Sequence, residues 1–170
     1  MEFDMSKDWG TGDPVVNLAH ELGHAWGLYH EHQKISAWQS DFFDGRLEPL
    51  VKFTCENLKD YDDFNKAVDD NGKKKWDMSI LCKSRNAAIK AGFSASDILY
   101  VEEISLNRAQ SREFDWNSIM LYGSFAGGKT VNGVLQPVLK KWRGDIIKAA
   151  TVPSQTDAQA IQQMYPPLAR

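Results

Sequence analysis

Apolar side chains recur at helical spacing directly after the Asp13-Pro14 pair. An acidic side chain can cap the first turn of a helix, and proline is favoured at the first helical position. Gly27 supplies a stop for the same helix. The pattern therefore predicts a helix over residues 14–26 with one face turned towards a core. That face carries Val15, Leu18, Leu22, Ala25 and Trp26.

The rest of the chain contains shorter signals. Polar and glycine-containing runs separate them, and Ser154 is a residue type that caps helices. No internal repeat is visible, and 170 residues suit a single domain. We therefore predict one α+β domain over residues 1–170. Its remaining elements are strands over 2–5 and 50–54, helices over 57–68, 84–91 and 155–164, and a turn over 69–72.

Composition excludes several classes of partner. The net charge is −3, which argues against nucleic acid and against an anionic membrane surface. No apolar run approaches the roughly 18 residues needed to cross a bilayer. Residues 1–5 also lack the basic and apolar regions of a secretory signal. We expect a monomer without a nucleic-acid or membrane partner.

The chain has two cysteines, Cys55 and Cys82. Two cysteines are too few for a disulfide-dense mini-protein, and they lack the close pairing of a zinc ribbon. They form either a bridge or two buried thiols, and composition does not decide between these. A bridge would stabilise the fold by roughly 3–4 kcal/mol on the chain-entropy model.

The informative cluster is histidine, because all four histidines lie between positions 20 and 32. His20 and His24 are four residues apart, so they share a helix face and can reach one tetrahedral ion at about 2.0–2.1 Å. Gly27 allows a sharp turn that brings His30 back as a third ligand. Three nitrogen ligands leave a position for water, as in catalytic zinc sites. His32 is surplus to this set, and we assign it a place on the surface or behind a ligand.

Glu21 follows the first of these ligands. Zinc lowers the pKa of a bound water towards neutrality, and a neighbouring carboxylate can accept its proton during attack on a carbonyl. The same carboxyl group can then pass the proton to the departing amine. The motif therefore predicts one Zn²⁺ per chain, with Glu21 as the catalytic general base.

With these residues the sequence resembles the metzincin metalloproteases, and within them the astacin family. Glu31 directly after the third histidine matches astacins, and the run from His30 to Gln33 is similar to fungal astacin-like proteases. The segment Ser118-Ile119-Met120-Leu121-Tyr122-Gly123 resembles the methionine turn (Met-turn) of the family. The run from Ser154 to Tyr165 is similar to its C-terminal helix.

The resemblance implies a metzincin-like fold and hydrolysis of internal bonds in a protein or peptide substrate outside the cell. Met120 would form an apolar floor beneath the three histidines. Tyr122 would be a switchable zinc ligand that also donates a hydrogen bond to the oxyanion. Gly27 and Glu31 would support the site, and the family pairs the latter residue with the mature amino terminus.

The sequence also departs from the family pattern. Leu121 replaces a customary histidine. Met120 follows His30 by 90 positions, a longer interval than usual, so we place an insertion at about 34–105. Only 13 residues precede Pro14, so most of the N-terminal sheet, whose edge strand holds the substrate, is expected to be absent.

Three hypotheses follow from these features. The first is a zinc endopeptidase that uses Glu21. The second is a non-catalytic zinc-binding fragment or module of an astacin-like protein, which a retained Glu21 disfavours. The third is a zinc hydrolase with a non-protein substrate, which Glu31 and the Met-turn disfavour.

Overall fold

The computed structural model describes residues 12–39, 47–101 and 113–166. Within these ranges the fold is α+β, as expected, and the predicted strand over 2–5 lies outside them. The helices are α1 (Pro14–Ala25), α2 (Ile35–Trp38), α3 (Tyr61–Lys66), α4 (Met78–Leu81), α5 (Arg85–Ala91) and α6 (Gln155–Met164). The strands are β1 (Val51–Phe53), β2 (Thr130–Val131), β3 (Val134–Leu135) and β4 (Leu139–Lys141).

Local capping fixes the two longest helices. The Asp13 side chain accepts a hydrogen bond from the backbone N–H of Val15 at 2.9 Å, which begins α1 at Pro14. Gly27 has a φ of +91°, a left-handed value that glycine adopts without strain, and the chain turns there. Ser154 and Asp157 form a reciprocal capping box at the start of α6. The predicted helices over 14–26 and 155–164 are therefore confirmed.

The predicted core face of α1 is wrong. Val15 is 74% exposed, and the other large apolar residues of that face are also exposed, namely Leu18, Leu22 and Trp26. The helix instead buries Val16 and Gly23, whose positions lie between the exposed apolar residues and the two histidines at 100° per residue. His20 faces the segment from Ser118 to Gly123, called the Met-turn below after the motif that it resembles, because its Nδ1 atom lies against the carbonyl oxygen of Ile119. The adjacent stripe with Val16 and Gly23 is therefore the packed one.

Short strands bring distant segments together. β1 pairs with β4 in antiparallel register, with Phe53 opposite Leu139, which confirms the predicted strand near residues 50–54. β2 and β3 form a hairpin whose turn is Asn132-Gly133, both at positive φ. This hairpin was not predicted, although Asn-Gly between short β-prone runs is its usual signal.

The predicted helix over 57–68 is too long. Cys55–Asn57 forms a 3-10 turn and α3 begins only at Tyr61. Asp60 is turned away from the helix, because its carboxylate accepts hydrogen bonds from the backbone N–H and hydroxyl of Ser94. The predicted helix over 84–91 is confirmed, with Ser84 as the cap of α5. The predicted turn over 69–72 is also confirmed, because the backbone N–H of Gly72 donates to the carbonyl oxygen of Asp69.

Buried apolar residues form two clusters that meet at the Met-turn. The larger contains Leu121 and extends over β1, β4 and α5, and a disulfide between Cys55 and Cys82 lies in it. The smaller contains Met120. It packs α1 against α6 through Val16, Leu28, Ile119, Met120 and Ala160. No helix in the described ranges has both the length and the apolar character needed to cross a membrane.

Candidate metal centre

Three histidines converge on one point at the end of α1. His20 and His24 project from the same helix face, and the turn at Gly27 returns the chain so that His30 meets them. The Nε2 atom of His30 lies 3.1 Å from that of His20 and 3.0 Å from that of His24. Tetrahedral ligands at zinc-like bond lengths are separated by about 3.3 Å. The three residues could therefore hold a metal ion.

The other ring nitrogen of each histidine faces an oxygen that can only accept a hydrogen bond. The Nδ1 atom of His20 lies 2.8 Å from the carbonyl oxygen of Ile119, and that of His24 lies 2.9 Å from the carbonyl oxygen of Leu28. Each Nδ1 must therefore carry the proton. The lone pairs of the Nε2 atoms then all point at the shared centre, as metal ligation requires.

Gln33 fixes the tautomer of the third ligand, and sequence reasoning missed this role. Its Oε1 atom lies 3.1 Å from Nδ1 of His30. Its amide nitrogen donates to three backbone carbonyl groups, those of Ser96, Asp97 and Leu99, at 3.2–3.3 Å. These contacts determine which end of the amide faces the imidazole. The only sequence signal was its position, three residues after His30 on the turn that follows.

Burial favours the neutral form of His20 and His30. Burial and repulsion from neighbouring imidazoles lower the pKa of His30 from 6.5 to about 2. Burial also lowers the pKa of His20, against the opposing effect of its bond to the Ile119 carbonyl. Neutral imidazoles offer the lone pairs that a cation needs, and a divalent ion would relieve the repulsion between three nitrogens that carry no proton.

The Met-turn lies directly beneath α1. Met120 is fully buried, and an ideal Cβ built on Gly23 would lie 2.5 Å from its sulfur atom. The backbone N–H of Glu31 also donates to the carbonyl oxygen of Met120 at 3.0 Å. Met120 therefore contacts both the helix that carries two ligands and the segment that carries the third.

Asp157 connects the Met-turn to α6. Its carboxylate accepts hydrogen bonds from the Ser118 hydroxyl at 2.7 Å and from the backbone N–H of Ile119 at 3.0 Å. It also accepts from the backbone N–H of Ser154 at 2.9 Å. Because the carbonyl oxygen of Ile119 contacts His20, this carboxylate supports the first candidate ligand through the backbone of a single residue, Ile119.

Tyr122 and His32 flank the third ligand. The ring centroid of Tyr122 lies 4.5 Å from that of His30 and 4.5 Å from that of His32. Burial, with the negative charges of Asp97 and Glu21, raises the pKa of the phenol to about 12. Of the two places predicted for His32, the one behind a ligand agrees with the structure and the one on the surface does not, since the ring is fully buried and stacks on His30 at 5.2 Å.

The His32 ring hydrogen-bonds to a distant carbonyl group. Its Nε2 atom lies 3.0 Å from the carbonyl oxygen of Asp97 and so carries the proton. Its Nδ1 atom is buried and has no hydrogen-bond partner among the described residues. Burial lowers the pKa of this imidazole to about 4, so it packs as a neutral ring behind the third ligand.

Glu21 is half-buried between the first two ligands on α1. Its negative charge opposes the fall in the pKa of His20 and adds to the rise in the pKa of Tyr122. The helix thus carries an acidic group in the turn that joins the two histidines, which makes Glu21 the candidate proton acceptor for water.

Glu31 is buried and ion-paired. Its Oε1 atom accepts hydrogen bonds from the ammonium of Lys34 at 2.5 Å and from the backbone N–H of Asp115 at 2.8 Å. Burial raises the pKa of this carboxyl group, and the charge of Lys34 opposes that rise. Glu31 directly follows the third ligand, and its side chain thereby links that ligand to the segment that leads into the Met-turn.

Comparison with known proteins adds no assignment, because no protein-family model and no curated protein matches this chain.

Proposed function

We propose that the chain is a zinc endopeptidase of the astacin-like metzincin type. One observation carries this proposal: three histidines direct their Nε2 atoms at one point, and the helix that carries two of them also carries Glu21 directly after the first. All-nitrogen donor sets suit zinc, and three ligands leave a position for water. The Met-turn beneath the histidines is the feature that favours a metzincin relation over other zinc hydrolases.

The chain's own residues supply the remaining chemistry. Zn²⁺, when bound, provides a Lewis acid that polarises a carbonyl group and acidifies water. Glu21 accepts the proton of the attacking water and delivers it to the amine nitrogen as the C–N bond breaks. The Tyr122 phenol is protonated at neutral pH even at its ordinary pKa, and burial raises that pKa further, to about 12, so its hydroxyl can donate a hydrogen bond to the oxyanion.

We also propose that the protein acts outside the cell on protein or peptide substrates, as a monomer. The Cys55–Cys82 disulfide supports this location, since such bonds persist in oxidising compartments.

The first test is hydrolysis of casein with zinc supplied, comparing the parent chain with Glu21→Gln. We expect the variant to keep its zinc and to lose roughly 100-fold or more in rate, because general base catalysis contributes about that much. Glu56→Gln, the same change in an exposed 3-10 turn, is the matched control and should cleave at the parent rate.

Equal cleavage by Glu21→Gln and the parent would overturn the mechanism. A parent chain that binds zinc but cleaves nothing would instead favour the second hypothesis, a non-catalytic zinc-binding module. Chelation should abolish any cleavage, and added zinc should restore it.

A further inference from the structure

We propose that Lys34 is a positioning residue for the third ligand of the metal site. The inference rests on the metal site proposed above and assigns a role to a residue outside the histidine triad. Lys34 acts through Glu31, the residue that directly follows His30.

Burial makes this ion pair consequential. The side chains of Lys34 and Glu31 are 9% and 3% exposed. An exposed ion pair contributes little to stability, whereas a buried charge that loses its partner costs several kcal/mol. The Lys34 ammonium therefore determines whether the Glu31 carboxylate can stay in this dry position.

The Glu31 carboxylate in turn holds two segments together. Its side chain accepts the backbone N–H of Asp115, while its own backbone N–H donates to the carbonyl oxygen of Met120. Lys34 also reaches the same segment, with its ammonium 3.5 Å from the carbonyl oxygen of Glu113. The pair thus fastens the peptide after His30 to both ends of the stretch from residue 113 to the Met-turn.

This arrangement supplies a cation within the chain. The resemblance implied that the mature amino terminus pairs with this glutamate, and Lys34 gives Glu31 a positive partner only three residues away. The third ligand is therefore positioned by a contact between residues 30–34 and the segment that begins at residue 113.

The test measures zinc affinity by competition with a chelating dye, together with the visible absorption of the Co²⁺-substituted protein. Lys34→Met removes the charge at nearly the same length. We expect zinc affinity to fall by roughly 10-fold or more, which is typical when a partner of a ligand is lost. We also expect altered Co²⁺ bands, because the third ligand shifts.

A double variant keeps the inference testable if Lys34→Met folds poorly. Lys34→Met combined with Glu31→Gln leaves no unpaired charge and retains an oxygen for the Asp115 N–H. We therefore expect the double variant to bind zinc more tightly than Lys34→Met alone. Lys129→Met is the matched control, because Lys129 pairs with the half-exposed Asp62 on the surface, and its zinc affinity should equal the parent's.

Parent-like zinc affinity and Co²⁺ bands in Lys34→Met would overturn the inference, and so would a double variant no better than the single one. These outcomes are independent of catalysis. A parent chain that binds zinc but cleaves no peptide would contradict the peptidase proposal and leave this inference standing.

Discussion

At the scale of single residues, the close approach of the Met-turn to α1 depends on Gly23. Any side chain at this position meets the sulfur of Met120, which is fully buried and cannot move into solvent. The glycine weakens the helix by about 1 kcal/mol relative to alanine. The molecule tolerates that cost where two ligands and their apolar floor have to pack together.

Gly23→Ala should therefore destabilise the protein. Overpacking a core costs about 1–3 kcal/mol, which exceeds the gain in helix propensity. In a Met120→Ala background the overlap is gone, so the same substitution should stabilise by up to about 1 kcal/mol. Urea unfolding of the four metal-free proteins measures the difference. An equal effect of Gly23→Ala in both backgrounds would show that Met120 does not constrain this site.

Sequence reasoning reached the residues with local chemistry and missed those defined by contact. His20, His24 and His30 follow from helical spacing and the turn at Gly27, and the structure brings them together. Gln33 could not be assigned in this way, because its role comes from carbonyl groups more than 60 residues away. The burial of His32 follows from the same distant segment.

At the scale of elements, one capping box serves two purposes. Asp157 completes the N-terminal cap of α6 and also accepts two hydrogen bonds from the Met-turn. The helix end is thus a fixed point for the peptide that orients His20. A cap seen in the sequence as a local helix signal turns out to support the metal centre.

We expect Asp157→Asn to lower the free energy of unfolding by about 2–3 kcal/mol, because an amide can satisfy fewer of these donors and carries no charge. Zinc affinity should fall as well, since Ile119 is no longer held. Asp77→Asn is the control, because Asp77 caps α4 on the surface and asparagine caps equally well. Calorimetry and zinc titration of both variants test this, and equal behaviour would contradict the link to His20.

The helices with explicit caps were predictable because capping is local. Which face of α1 is buried was not predictable in this way. Its largest apolar residues are exposed, because the contacts of His20 and Gly23 with the Met-turn determine which face of the helix is buried. Likewise, β1 pairs with β4, and the sequence of neither strand predicts its partner.

At the scale of the whole molecule, the two apolar clusters pack different parts of the chain. The larger one includes the disulfide and the buried apolar residues described between the third ligand and the Met-turn. The smaller one underlies the histidines. Consecutive residues of the Met-turn belong to different clusters, with Met120 in the smaller and Leu121 in the larger. A buried leucine at this position fits the larger core, where the family resemblance had suggested histidine.

Replacing Cys55 and Cys82 by serine should lower the free energy of unfolding by roughly 3–4 kcal/mol, because the bridge closes a separation of 27 residues. Saturating zinc should recover part of this loss by binding only the folded chain. Chemical unfolding with and without zinc, and with and without reductant for the parent, measures both effects. If the unfolding midpoint of the parent is the same with and without reductant, the bridge contributes nothing to stability.

The anchoring of Gln33 and His32 to the turn at residues 94–99 has a consequence for biosynthesis. A chain is made from its amino terminus, so the three histidines emerge from the ribosome long before that turn and the Met-turn exist. Until then nothing fixes the tautomer of His30 or the floor beneath it. If the site holds the ion proposed above, tight metal capture is expected only after synthesis has passed the Met-turn.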